Sequence, residues 1–373
     1  MILLDLYNNI KGELTSTSSS ASTVNKWFVL KFINNNDGFK MTNEIITKPL
    51  EHGQTIEVNC QVIKFLGSGS YGKVYKIKIG NKFYALKVSE NEKPSNFYMR
   101  YQSLKNIEQL KKYIINVFVA GSLKCGKFHY FSIMEYGGQS LKSRIPFSSG
   151  DELEFVLRQL YNIVYLCVKH RICLTDFKLN NIVVDKENLR LKLIDLYMEC
   201  KTYSPCKDCR IVKTYSTLEI DKIKNILDDD DYSHTYLFIP LAFGLIDLCC
   251  KKSASNIFMN VANYYDIDLG VKQMIPLIQV SCYNNIHKSN KKIKEYDAVY
   301  QHKKKLEKKY PYLEDEDFYK TFMSGIEVRD SYKNKISSNK LRTIIHSLFS
   351  AYPDDRSLEP FKNLLSNMSG PNY

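Results

Sequence analysis

Apolar and polar positions between Thr55 and Val88 fall into three short strand-like runs with turn signals between them: EVNCQVIKFLG, KVYKIKIG and KFYALKV. The pair Gly80-Asn81 between the last two is the signature of a two-residue hairpin, so the pattern predicts an antiparallel meander. After a polar stretch at 90–95, helical spacing over 97–113 is followed by two further strand-like runs, INVFVAG and FHYFSIMEYGG. From Asp151 the period changes. Phe155, Leu157, Leu160, Ile163, Val164 and Val168 recur at helical intervals and predict a long amphipathic helix. Short strands are expected at NIVVD (181–185) and LKLID (191–195), and helices dominate beyond Tyr236, where YLFIPLAFGLIDLCC is apolar all round and reads as a buried helix. The fold class is therefore α+β, a small antiparallel β-rich part followed by a larger α-helical one. Residues 1–54 carry the low-complexity stretch TSTSSSAST and the polar run NNNDG, and are expected to be an appendage.

Composition adds bounds to this picture. The chain has 373 residues, 44% hydrophobic and 25% charged, which is ample for one large domain or two lobes. No apolar run of about 20 residues occurs and the first residues lack a basic lead-in, so no membrane span and an intracellular, cytoplasmic or nuclear setting are expected. Ten cysteines at irregular spacing read as reduced thiols. Cys200, Cys206 and Cys209, with His234, are the one group that resembles a zinc ligand set, although paired C-x-x-C spacing is lacking. A net charge of +13 favours acidic partners, and the basic run Lys288 to Lys309 leaves nucleic acid open as a partner, though such runs are mostly solvated helix faces. The heavy use of Lys, Ile, Asn and Tyr is that of an A/T-rich genome, as in some large DNA viruses.

Four motifs bear chemistry. Gly67, Ser68, Gly69, Ser70, Tyr71, Gly72 and, two positions on, Val74 form G-x-G-x-x-G-x-V between two predicted strands, where glycine lets backbone N–H groups approach phosphate oxygens. A dinucleotide site would open a helix at this point; here a strand follows. Ala85 and Lys87 end the third strand, with Lys87 placed to meet phosphate charge. In Asp176-Phe177-Lys178-Leu179-Asn180-Asn181, an aspartate to take a hydroxyl proton precedes a lysine for phosphate and an asparagine for a metal. Asp195 follows as a second metal ligand.

Together these residues, in this order, resemble a eukaryotic serine/threonine protein kinase domain from about Thr55 to Leu365. The resemblance implies a bilobal fold with an N-terminal extension at 1–54, an N-lobe at 55–138 and a C-lobe at 139–368. It implies ATP and Mg2+ as cofactors and a protein as substrate, with Asp176 and Lys178 catalytic and Asn181 and Asp195 on the metal. Glu135 and Tyr136, in Met134 to Gly138, resemble the hinge whose backbone holds adenine. Tyr215 to Glu219 resembles the end of the activation segment, and Arg356 the arginine that pairs with Glu219. Lys178 is the residue typical of serine/threonine preference, and a monomer is expected.

Three departures qualify the resemblance. Leu174-Thr175 stands where the family has His-Arg, so no arginine is available there to clamp a phosphorylated activation loop, and activity without such phosphorylation is expected. Leu196-Tyr197 replaces Phe-Gly after the metal aspartate. The helix glutamate that pairs with Lys87 is missing from Arg100 to Leu104, which leaves Glu108 as the candidate. A pseudokinase, keeping the fold as a regulatory binding module, is the alternative these departures raise.

Overall fold

In a computed structural model of the chain, the residues described are 2–6, 26–34, 55–69, 72–90, 101, 104–125, 128–170, 172–174, 176–196, 198–199, 237–267, 308, 318–349 and 356–368. They fall into two compact units, Met1–Gly138 and Gln139–Tyr373.

The first unit is a sheet. Its strands are β1 (Ile2–Leu6), β2 (Lys26–Asn34), β3 (Thr55–Gly69), β4 (Gly72–Ile79), β5 (Lys82–Ser89), β6 (Val117–Cys125) and β7 (Phe128–Glu135). The predicted meander is β3-β4-β5, turned between β4 and β5 at Gly80, whose φ of 57° suits glycine. Alternation decides its two faces: Tyr75, Ile77, Leu86, Val88, Phe131 and Ile133 are buried together on one. The residues before Thr55 are not simply an appendage. β1 pairs antiparallel with β2 and parallel with β6, and β2 pairs with β3, which closes the order β1-β2-β3-β4-β5-β7-β6 into a barrel. The aromatic and β-branched run in KWFVLKFIN was the available signal, masked by the polar stretches around it. Of the helix expected over 97–113, the described residues have helical geometry at Tyr101 and Leu104–Lys105 and, after a break at Asn106 and Ile107, in the single turn α1 (Glu108–Lys111).

The second unit opens with β8 (Gln139–Ser140), α2 (Leu141–Arg144) and the long helix α3 (Gly150–Lys169), whose N-cap Ser149 accepts a hydrogen bond from Glu152 N–H. Its buried stripe is Leu153, Val156, Leu157, Leu160, Ile163, Val164 and Cys167, rotated slightly from the sequence expectation because Phe155 and Val168 are only half-buried. β9 (Cys173–Leu174), β10 (Ile182–Val184), β11 (Leu191–Leu193) and β12 (Met198–Glu199) form small ladders, β11-β10-β8 and β12-β9. Helices α4 (Phe238–Cys249), α5 (Ala254–Tyr264), α6 (Phe318–Ser324), α7 (Ser338–Phe349) and α8 (Glu359–Ser366) complete it.

Every residue of α4 is buried, as its all-round apolar pattern demands. Phe243 of α4 meets Phe258 of α5 and Phe349 of α7 at ring separations of 5.4 and 5.6 Å, and Phe322 of α6 meets both of those rings. A buried charge group ties α3 to the chain's end: Arg158 binds Glu154 Oε1 at 2.7 Å and the carbonyls of Leu365 and Met368 at 2.8 Å, while Lys335 takes Glu154 Oε2 at 2.8 Å. Burial alone would raise the Glu154 pKa, but hydrogen bonds from Lys335 and Arg158 hold it below the ordinary value. Cys60, Cys167, Cys249 and Cys250 are free buried thiols, and burial pushes Cys250 up to about 12. Among the described residues, no helix is long and apolar enough to cross a membrane.

Candidate active site

Asp176 follows β9 directly after one undescribed residue, Thr175, and is buried at 6% exposure. Three side-chain hydrogen bonds meet its carboxylate: Lys178 Nζ reaches the two oxygens at 2.9 and 2.8 Å, and Asn181 Nδ2 reaches Oδ2 at 2.7 Å. Asn181 Nδ2 also binds the Asp176 carbonyl at 2.9 Å. A buried carboxylate is tolerable only when paired and hydrogen-bonded, and here the partners lie two and five residues along the chain. The short 3-10 turn Leu179–Asn181 makes this possible, because it folds Asn181 back over Asp176.

Asp195 reaches the same loop through the sheet. Ile182 of β10 pairs with Leu193 of β11, and Ile194 N–H donates to the Asn181 carbonyl at 3.0 Å, so the residue before Asp195 is bonded to Asn181 itself. The turn between these strands depends on local side chains. Asp185 Oδ1 accepts from the N–H groups of Glu187 and Asn188 at 2.8 and 3.0 Å, and Leu189 is left at a φ of 53°, an uncommon conformation for a branched residue. Gln159 on α3, 9% exposed, holds the turn from behind. Its Nε2 donates to the Leu189 carbonyl and its Oε1 accepts from Leu191 N–H, both at 2.9 Å. Sequence reading passed over Gln159; a glutamine inside the apolar stripe of a helix was the available signal. Gly244 of α4 was missed too. A Cβ there would lie 3.2 Å from Leu179 Cδ2, so the glycine lets the buried helix come up against the Leu179–Asn181 turn.

In the first unit, register places the other expected residues. Lys87 is directly opposite Val74 of β4 and Ser132 of β7, and Ala85 is opposite Lys76 and Met134. Opposite residues share a face, so Val74, Ala85 and Lys87 lie together on the side away from Ile77 and Leu86. Lys87 is buried there at 9% exposure. In the glycine loop, Gly67, Ser68 and Gly69 end β3 and Gly72 begins β4, with Ser70 and Tyr71 outside the described residues. Gly72 has a φ of 147°, and a Cβ on it would fall 1.8 Å from the Val88 carbonyl oxygen. Only glycine fits, and the reason is the passage of β5 behind the loop. Glu135 ends β7 with its carboxylate bound by Asn116, and the Tyr136 ring lies 4.1 Å from Lys76 Nζ.

Glu108 is not the partner of Lys87. Its side chain is 86% exposed and it pairs with Lys111 at 3.8 Å, one turn on along α1. A solvated i,i+3 pair is what an acidic residue in the first turn of a surface helix ordinarily makes. Tyr197, the cysteines Cys200, Cys206 and Cys209, His234, Glu219 and most of the basic run lie outside the described residues. Among those described, no three His, Cys, Asp or Glu side chains converge as a metal cluster would require. Arg356 is buried.

A family model described as the protein kinase domain matches residues 60–363. No curated protein matches the chain.

Proposed function

The chain belongs to the protein kinase family, and from that premise we propose that it is an active enzyme transferring the γ-phosphoryl group of ATP to serine or threonine hydroxyls of a protein. The observation that carries this reading is the bonded constellation Asp176, Lys178 and Asn181, joined to the Asp195 segment through the Asn181 carbonyl.

The residues fit Mg2+ and ATP. Because Asn181 Nδ2 is committed to Asp176, its amide oxygen is the atom left to meet a cation, and the Asp195 carboxylate supplies a second hard oxygen ligand. Two protein oxygens suit Mg2+, which takes its remaining ligands from phosphates and water. Bound there, the metal offsets charge on the transferring phosphoryl group. Asp176 orients the acceptor hydroxyl and takes its proton, and Lys178, already beside Asp176, meets the negative charge that develops next to it. In the first unit, Lys87 faces phosphate, the glycine loop offers backbone N–H groups, and the backbone at Glu135 and Tyr136 reads the base. Preference for serine and threonine rests on Lys178.

A pseudokinase is the second reading, favoured by one observation: Glu108 is spent on Lys111. Labelled ATP, Mg2+ and a generic basic or acidic protein decide between them, with autophosphorylation, transfer and phosphoamino-acid identity all followed. Active wild type and an Asp195→Asn variant that retains its fold while losing about 1,000-fold or more in rate, roughly 4 kcal/mol at the barrier, is the expected outcome. No label and no thermal shift by Mg-ATP would establish the pseudokinase.

A further inference from the structure

A relay of hydrogen bonds in the first unit ties Lys105 and Asn116, which no motif singled out, to Glu135. Lys105 Nζ donates to Asn116 Oδ1 at 2.7 Å and to the Lys111 carbonyl at 3.3 Å. Asn116 Nδ2 donates to Glu135 Oε2 at 2.7 Å, and the Asn116 backbone N–H reaches the same oxygen at 3.3 Å. Glu135 N–H closes the circuit on the Asn116 carbonyl at 2.8 Å. Lys105, Asn116 and Glu135 are all half-buried.

One orientation of the amide serves both neighbours, with its carbonyl on the ammonium and its NH2 on the carboxylate. Hydrogen bonds to ionised groups are shorter and about twice as strong as neutral ones, and a partly buried setting sharpens them. Asn116 precedes β6 and Glu135 ends β7, so the relay fastens the helical turn at 104–111, the start of one strand and the end of the next into a single piece. It does so where β7 gives way to Tyr136, Gly137 and Gly138. The Glu135 carboxylate and its backbone N–H are both bonded to Asn116, so the relay fixes the backbone at the end of β7 from the side chain and the main chain at once.

Resting on the kinase reading above, we propose that Lys105 and Asn116 are positioning residues that hold the backbone at Glu135 and Tyr136 in place to read the adenine of ATP. Neither touches the nucleotide; both act through Glu135. Recognition by backbone hydrogen bonds weakens steeply with displacement and misalignment, so loosening this piece costs base binding. Asp176, Lys178 and Asn181 belong to the other unit and do not depend on it. The signature is therefore a change in nucleotide affinity and base preference without a change in turnover at saturation.

The full-length chain carrying Asn116→Leu, Glu135→Gln or both tests this, with Mg-ATP and Mg-GTP dissociation constants from calorimetry and KM and kcat from transfer assays. Asn116→Leu is expected to raise the Mg-ATP Kd and KM at least fivefold, narrow the preference for ATP over GTP, and leave kcat within twofold. The double variant should be no worse than the worse single one, since both cut one relay. Unchanged Kd and base preference in a folded Asn116→Leu variant, or additive losses in the double, would overturn the proposal. Should Asn116→Leu fail to fold, Lys105→Met must show the same split in weaker form, and its absence overturns the proposal equally. Wild type that binds no Mg-ATP overturns the kinase reading and this proposal with it, whereas normal wild-type binding with unaffected variants overturns the relay alone.

Discussion

The two units hold their working residues by different means. In the second, Asp176, Lys178 and Asn181 lie within six consecutive residues and bond to one another directly, so a short loop carries its own geometry. In the first, Lys87 is placed by pairing with Val74 and Ser132, and the Glu135 end of β7 by a relay from Lys105 through Asn116. A local loop keeps its side-chain arrangement as long as its base is supported. A sheet face exists only while several strands keep register, because a one-residue slip would turn Lys87 to the opposite face.

The comparison can be broken first at Lys87. Replacing it with Met keeps volume and removes the ammonium, so transfer should fall about 100-fold, with a smaller effect on the urea midpoint. Steady-state rates alongside urea unfolding read both. A variant that keeps wild-type activity would mean that another lysine meets the phosphates.

How much support the base of the 176–181 loop needs is read at Gln159, which holds the β10-β11 turn behind it. Gln159→Leu leaves the half-buried Leu189 carbonyl and the buried Leu191 N–H without their partner, at a cost of about 2 kcal/mol in urea unfolding. A loss below about 0.5 kcal/mol would show that the turn holds itself and that α3 only covers it.

The smallest effect concerns pH. The Glu154 carboxyl titrates below its ordinary value of 4.5 in the folded chain, so it contributes stability above that value and loses it as pH falls through the lower, folded one. Unfolding free energy should therefore drop on acidification below about pH 4.5, with a Glu154 share that Glu154→Gln abolishes. An identical acid profile in the variant would place the sensitivity elsewhere.

Much of this was legible in the sequence where short-range periodicity or spacing set the outcome. Strands β3, β4, β5, β10 and β11 and helix α3 follow from strand-like runs, turn residues and helical spacing, because each buries its apolar side almost wherever it packs. The grouping of Asp176, Lys178 and Asn181 was legible for the same reason, since its partners are neighbours in the chain. Glu108 misled because a helix glutamate looks the same in sequence whether it faces a sheet or water.

What only the tertiary structure decided is the set of partners far apart in sequence. β1 and β2 join the barrel by pairing with β6 and β3, and nothing in a strand's own residues names the edge it will meet. Gly72 is required by the carbonyl of Val88, Gly244 by the side chain of Leu179, and Gln159 by two backbone groups beyond its own helix. Asn116 reads as an ordinary polar residue before a strand until Lys105 and Glu135 arrive on either side of its amide. Hydrogen bonds and close packing act over a few ångströms in space with no regard to separation along the chain, so a sequence fixes such contacts only through the fold that brings the partners together.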